Sequence, residues 1–327
     1  MKIWFSETQE IKKLLIEVEA LRIVFDGLPE QKHIEENLRR EALLKSSLFS
    51  ARIEGNPLTL VQVNLMSQTT PKQDFVKLEI FNLLKAYNYI HSKRAPKNVS
   101  LKLICTLHKL VTNGISPDAG RFRKNPGAIF NQVGNAIYLA PPHFQILNLI
   151  NELVTRCNNP VYPAPVNAAI THFSFEKIHP FSDGNGRVGR LILAYVLRRE
   201  EYNFKGLISF EEWISDNRER YYQTLAPSGD ATSFVEFFLE SLINEARSIL
   251  EKLKNVEEKP EDVLLPRRQE ILRIVREHPY CSFDFMRRRF LQINPKTLHY
   301  DLAQLQKQKF VVKIGVSRGS VYKELTK

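Results

Sequence analysis

Cysteine is scarce in this chain: three among 327 residues, Cys105, Cys157 and Cys281, far apart and odd in number. That excludes a disulfide framework, and no pair has metal-ligand spacing, so reduced thiols in a cytoplasmic protein are the expectation. Long apolar runs are missing as well. The longest, Leu191–Leu197, falls far short of the ~20 residues a membrane helix needs, and no membrane partner is expected. The N-terminus, MKIWFSETQE, turns polar after five residues, which argues against a cleaved signal peptide. Internal repeats and low-complexity stretches are also lacking. Acidic residues are in deficit, with a net charge of +11, but only locally. From Pro266 to Lys327 there are fourteen Lys and Arg against five Asp and Glu, and elsewhere 33 against 31. The basic character belongs to the C-terminal tail.

What is present is a soluble-type composition, 43% apolar and 25% charged, in a chain long enough for two or three domains. Apolar spacing predicts a helix over 75–91, with Phe75, Leu78, Phe81 and Leu84 as its face and Tyr87 and Tyr89 beyond. Ser100 caps a helix through Val111, Pro142 precedes another through Arg156, and Pro165 opens one to Ile178. A further helix runs from Gly186 to Arg199. Ser209-Phe-Glu-Glu212 reads as a capping box for a helix carrying Trp213 and Tyr221, and 233–257 as one long helix. Between 120 and 142 the texture changes: two apolar runs, Ala128–Phe130 and Ala136–Ala140, flank Gly134-Asn135, a hairpin signal inside a helical protein.

The segment His179-Pro-Phe-Ser-Asp183-Gly-Asn-Gly186-Arg187-Val-Gly-Arg190 concentrates the chemistry. A Gly-Asn-Gly turn entering a helix presents free backbone amides at the positive end of the helix dipole, an anion site. Asp183 can supply the one carboxylate Mg²⁺ takes when phosphates and water fill its other positions. Arg187 and Arg190 lie one turn apart, where a polyphosphate would run. His179 is placed to accept a proton from an incoming nucleophile. Singly, a His-Pro is usually a helix end, a Gly-Asn-Gly a turn, and two such arginines a solvated face. Together they point to phosphoryl or nucleotidyl transfer.

This string resembles the signature of the Fic (filamentation induced by cyclic AMP) family, His-x-Phe-x-Asp/Glu-Gly-Asn-Gly-Arg-x-x-Arg, with every fixed position present, and Ala168–Ile178 resembles the helix leading into it. The resemblance covers Ser100–Arg199 tightly. It implies a mainly α Fic fold that moves AMP from ATP onto a Tyr, Thr or Ser hydroxyl of an unidentified protein target, with this chain itself among the candidates, releasing pyrophosphate. It makes His179 the base, Asp183 the Mg²⁺ ligand, and Gly184, Asn185 and Gly186 the phosphate cradle. Arg187 and Arg190 are then expected at the β- and γ-phosphates, with Phe181 as a core anchor. Gly at 186 differs from the Lys of Doc-like kinases. The 120–142 hairpin resembles the family's flap, which makes Ile129 to Ile137 candidates for docking a target strand.

Ser50-Ala-Arg-Ile-Glu54-Gly55 by itself is a helix end with Gly at C′. Beside the signature it resembles the inhibitory motif Ser/Thr-x-x-x-Glu-Gly/Asn. That implies a Glu54–Arg190 pair in place of the γ-phosphate, with Ser50 in the same pocket. In some relatives the same glutamate supports removal of AMP.

The expected layout is an N-terminal helical region with the inhibitory helix (1–98), a Fic core with supporting helices (99–258), a linker (259–265) and a winged helix-turn-helix (266–327). In the last, helices are expected over 268–277, from a Ser282 cap through Phe290, and from Asn294-Pro295 to Gln308, with a wing at 310–325. Leu298, Leu302 and Leu305 face inward. Lys296, Thr297, His299 and Tyr300, with Arg318 on the wing, are then candidates for duplex DNA. A protein-contact role for this domain stays open, as do a transcriptional regulator sensing nucleotide and a transferase using UTP or a CDP-linked donor.

Overall fold

The computed structural model describes residues 2–29, 32–64, 71, 74–130, 136–226, 229–255, 264–290, 293–315 and 319–325. The chain forms two compact units, Met1–Lys254 and Asn255–Lys327. Most of the expected linker lies outside the described residues.

The first unit is helical around one core. Helices α1 (Gln9–Gly27), α2 (Lys32–Ile53), α3 (Leu60–Asn64), α4 (Phe75–His91) and α5 (Leu101–Thr112) precede a hairpin, β1 (Ala128–Phe130) and β2 (Ala136–Leu139). Then come α6 (Ile146–Asn158), α7 (Ala164–Ile178), α8 (Asn185–Arg199), α9 (Phe210–Asp216), α10 (Arg218–Leu225) and α11 (Thr232–Asn255). Helices α7 and α8 form the centre. Pro165 through Ile178 are buried almost without interruption, as are most residues from Asn185 to Leu197. A helix covered on all sides needs no amphipathic stripe, and its ends are the places where chemistry can surface.

Caps behave as the sequence predicts at Ser100, whose side chain accepts from the Leu103 amide at 3.1 Å. Three expectations need correction. In α4 Leu78 and Tyr87 are buried as expected, joined by Ile80, Leu83, Ala86 and Ile90, but Phe75 is 65% exposed and Phe81 and Leu84 are only half-buried. A strict spacing of three drifts around a helix of 3.6 residues per turn, so Phe75 lies off the buried face and Phe81 and Leu84 at its margin. Ser209 forms no side-chain cap; its hydroxyl lies between Ser46 and Glu211. The helix expected to carry both Trp213 and Tyr221 is broken at Asn217 (φ −111°, ψ 33°), whose amide and carboxamide both bond the Trp213 carbonyl. This is the competition with backbone bonding that makes Asn a breaker.

The hairpin is antiparallel, pairing Ala128 with Leu139 and Ile129 with Tyr138, and a bulge follows Ile129. Its Gly134-Asn135 turn lies outside the described residues.

The second unit has its own core. It holds α12 (Pro266–Glu277), β3 (Cys281–Ser282), α13 (Phe283–Arg289), α14 (Pro295–Lys307), β4 (Val311–Ile314) and β5 (Val321–Glu324), the strands ordered β3–β5–β4 and antiparallel. The Asn294 side chain caps α14 by accepting from the Lys296 amide at 2.9 Å, and Leu298, Leu302 and Leu305 are buried. Among the described residues no helix is long and apolar enough to cross a membrane.

Candidate active site

The loop between α7 and α8 is built from the inside. His179 ends α7 in the left-handed region (φ 47°), its amide still bonded to the Phe175 carbonyl at 3.0 Å. This conformation is uncommon for a side-chain-bearing residue and carries a modest strain. Phe181 is fully buried, and the imidazole of His108 on α5 stacks on it at 3.7 Å, nearly parallel. His108 Nδ1 accepts from the Gly120 amide at 2.8 Å, so its Nε2 carries the proton and donates to the Asp183 carbonyl at 3.1 Å. Asn185 closes the loop from the other side, accepting from the Phe181 amide at 2.9 Å and donating to the Phe181 carbonyl at 2.8 Å. Its carboxamide is therefore committed within the loop, and only its backbone faces the anion site expected of it. Gly184 caps α8 at φ 80°, where a side chain would be strained and would crowd Thr112.

Arg187 and Arg190 project from the first turns of α8. Arg187 ion-pairs through Nη1 with Glu79 of α4 and through Nη2 with both Asp183 oxygens at 2.8 and 2.9 Å. Arg190 is wholly buried. It donates to Ser50 Oγ at 3.0 Å, to the Ser50 carbonyl at 2.8 Å and to Glu54 Oε1 at 2.8 Å. Tyr221 OH lies 3.4 Å from its Nη1 and is held by His172 at 2.8 Å. Burial works against the Arg190 charge, but the Glu54 carboxylate outweighs it, and its pKa lies above the ordinary arginine value.

The position of Glu54 follows from how α2 stops. The Asn56 amide bonds the Ala51 carbonyl at 3.1 Å and the Gly55 amide the Arg52 carbonyl at 2.9 Å, with Gly55 at φ 105°. This pair of bonds is a Schellman ending, which fixes the last side chain. Arg218 and Tyr222 of α10 both donate to the freed Ile53 carbonyl, at 2.6 and 3.2 Å. The Glu54 carboxylate consequently lies over the α-carbon of Gly186, where any side chain would collide with it. An anion at a helix N-terminus is what the dipole favours. Asn56 reaches onward, donating to Glu79 Oε2 at 2.7 Å and to the Val76 carbonyl at 2.9 Å.

Burial pushes the His179 imidazole down to about 4; the Glu176 backbone, Glu54 and Asp183 pull it upward and Arg123 pushes it further down. A neutral ring at physiological pH is the form a base requires. Its Nδ1 has no hydrogen-bond partner among the described residues. Beneath α8, burial raises the Glu176 carboxyl to about 8, and the charge of Glu54 adds to this.

Asp183 is 62% exposed on its side chain, and the described residues hold no cluster of three or more metal-ligating side chains. One accessible carboxylate beside the N-terminus of α8 suits Mg²⁺, which completes its shell with phosphate oxygens and water.

The remaining candidates divide. Ile129 and Ile137 lie on the two hairpin strands. In the second unit Lys296, His299 and Tyr300 are all exposed, His299 with its ring stacked on Phe283 at 3.7 Å and Tyr300 with Arg268 5.6 Å over its ring. Thr297 is half-buried. Arg318 lies outside the described residues. The basic surplus is partly neutralised inside the unit: Asp301, wholly buried, pairs with Arg267 and Arg268, Glu270 and Glu277 with Arg273, and Glu324 with Arg276. Sequence reading missed His108, Glu79, Asn56, Arg123 and Tyr221, since their roles arise only when α4, α5, α10 and the hairpin meet α8.

Residues 98–197 match the model of the Fic/DOC family, so the chain carries a Fic/DOC domain, and its fold is the Fic fold. A crystal structure of a Fic family protein from Desulfovibrio desulfuricans G20 superimposes with a TM-score of 0.71 at 24% identity, covering 100% of this chain and 99% of that one. Fic-1 from C. elegans gives 0.62 at 23%, covering 75% and 73%. In sequence, the protein adenylyltransferase Fic of Drosophila virilis is 29% identical over 238 residues, 70% of this chain and 47% of the relative. That of Drosophila melanogaster is 28% identical over 241 residues. The chain spans about half the length of the curated relatives it matches.

Proposed function

We propose that this protein is an adenylyltransferase that moves AMP from ATP to a hydroxyl of a protein, held back by Glu54 just past the end of its own helix α2. The observation that carries the reading is the Glu54 carboxylate on Arg190 and over Gly186, at the anion-binding end of α8 in a Fic/DOC domain that also presents a neutral His179.

In the reaction, His179 takes the proton of the acceptor hydroxyl as its oxygen attacks the α-phosphorus of ATP. The new P–O bond makes a phosphodiester. The bond between the α-phosphorus and the bridging oxygen breaks, and pyrophosphate leaves with that electron pair. The backbone amides opening α8 and the two arginines stabilise phosphate charge. Asp183 would hold Mg²⁺, which supplies charge neutralisation. While Glu54 occupies Arg190, the γ-phosphate and the carboxylate compete for one guanidinium. The hairpin would dock the acceptor segment by strand addition. The second unit, a winged-helix candidate, would supply localisation or target choice, with duplex DNA as its expected partner. A cytoplasmic location with ATP at hand accords with this reading.

The test is incubation with ATP labelled on the α-phosphate. Label on protein that is lost in His179→Ala and competed by unlabelled ATP, but not by UTP or a CDP-linked compound, supports it. Label that survives the substitution, or follows another nucleotide, overturns the donor or the base.

A further inference from the structure

Arg123 stands four residues before Gly127 on the way into β1, and its side chain is buried. Its Nε donates to the His179 carbonyl at 2.8 Å, Nη1 to the Asn125 carbonyl at 2.9 Å and Nη2 to the Pro141 carbonyl at 2.6 Å. Its own amide bonds the Pro180 carbonyl at 2.9 Å. Asn125 precedes β1, Pro141 follows β2, and His179 is the base. One planar group thus touches both stems of the hairpin and the backbone of the base. Only a guanidinium offers rigid donors in enough directions to do this; a lysine ammonium is a point charge on a flexible stem.

The surroundings are shaped to fit it. A Cβ on Gly127 would lie 2.8 Å from Arg123 Nε and 3.0 Å from Cζ, so glycine there leaves the space the guanidinium fills. The Ala140 amide closes the two stems on the Gly127 carbonyl at 2.9 Å, and Tyr138 OH bonds the Lys177 carbonyl at 2.8 Å, a second tie from β2 to the last turn of α7. Burying a guanidinium on carbonyls alone costs free energy that a surface residue would avoid.

We propose that Arg123 is a positioning residue that indexes the hairpin against His179, so that an acceptor segment laid on the hairpin brings its hydroxyl to the base. This rests on the adenylyltransferase reading. Attack by a protein hydroxyl needs both the base and the docked segment in one frame; attack by water on the same α-phosphorus needs the base but no docking. Misplacement by about an ångström costs an oriented reaction up to roughly a hundredfold. Loss of Arg123 therefore alters the partition between the two acceptors, which a general loosening of the fold would not.

The experiment uses the full chain carrying Glu54→Gly, with its own self-modification as the probe. Protein-bound AMP and free AMP are measured together, beside Mg-ATP affinity. In Arg123→Gln the ratio of protein-bound to free AMP should fall roughly tenfold or more, with Mg-ATP affinity within about twofold, because Arg123 touches none of the phosphate-binding side chains. Arg123→Lys should recover little. Should Arg123→Gln fail to fold, Gly127→Ala decides, since its methyl displaces the same guanidinium and should lower the same ratio. An unchanged ratio in a folded variant overturns the proposal. Absence of any AMP formation in the Glu54→Gly parent, by contrast, counts against the adenylyltransferase reading itself.

Discussion

Glu54 and Arg190 stand 136 positions apart in the chain, yet Oε1 of one lies 2.8 Å from Nη2 of the other, and the guanidinium is wholly buried while the carboxylate keeps a third of its surface. The asymmetry matters. Arg190 has contacts with Ser50 and Tyr221 that do not involve Glu54, whereas the partly exposed Glu54 lies just beyond the end of α2.

Replacing Glu54 with Gly should therefore free a prepared arginine rather than collapse the site. AMP transfer from labelled ATP, including self-modification, should rise by roughly tenfold or more, about 1.4 kcal/mol at the transition state. Urea unfolding should register a loss of about 1–3 kcal/mol, the range for removing one partner of a partly buried contact. Adding Arg190→Ala should abolish the gain. Equal transfer by wild type and Glu54→Gly would reduce residues 50–55 to a capped helix end.

His179→Ala should lower transfer by ~10²–10⁴-fold while Mg-ATP still binds. The pH dependence has a definite sign. With the folded imidazole lowered to about 4 by burial, the base stays unprotonated well below pH 6, and the transfer rate should remain level there, where an ordinary histidine would be largely charged. The unfolded chain takes up that proton near pH 6.5, so this residue removes stability as pH falls from about 6.5 toward 4. Urea midpoints across that interval should decline less steeply in His179→Ala than in wild type.

Much of this architecture was legible in the sequence because its signals are local. The Ser100 and Asn294 caps, the glycines at 55 and 184, and the two hairpin strands fall where residue chemistry predicts. The 179–190 string held its members together because they lie within one loop and the first two turns of α8. Other features were invisible for a physical reason. Glu79 and Asn56 look like ordinary surface residues until α4 and the end of α2 converge on Arg187, and no spacing encodes that. His108 reads as one more helix residue, since its ring is given meaning by Phe181 and Gly120. In the tail, Asp301 looks solvent-facing but sits buried between two arginines, which makes the charge count overstate the free basic surface.

That overstatement bears on the second unit. Residues 255–327 form a compact unit with a core of their own, so the segment can be tested alone. If it binds duplex DNA, affinity should drop steeply with salt as neutralised phosphates release counterions. Because Arg267, Arg268, Arg273 and Arg276 are engaged by carboxylates, the slope should report fewer contacts than the net charge suggests. Reversing Lys296 and Arg318 should flatten it. Millimolar affinity at low salt, or no slope, would favour protein contacts.

Arg187 presents the same contrast of fixed and movable partners as Arg190. Asp183, with its side chain 62% exposed, holds it from the solvent side. Glu79 holds it from within, its second oxygen tied to Asn56, and Asn56 is two residues beyond Glu54 in the same Schellman turn. If Arg187 binds phosphate as proposed, Glu79 should therefore act as its lasting support. In the Glu54→Gly chain, Glu79→Gln should raise KM for ATP by about tenfold, the weight of a charge-assisted contact of ~1.5 kcal/mol, with a smaller effect on kcat. Asn56→Ala, which leaves the carboxylate but frees its far oxygen, should give a milder rise in KM. Both should be measured as AMP transfer at varied ATP, beside thermal melting to confirm folding. If Glu79→Gln leaves KM unchanged in a folded protein, Arg187 is held for the core's sake rather than for the nucleotide's.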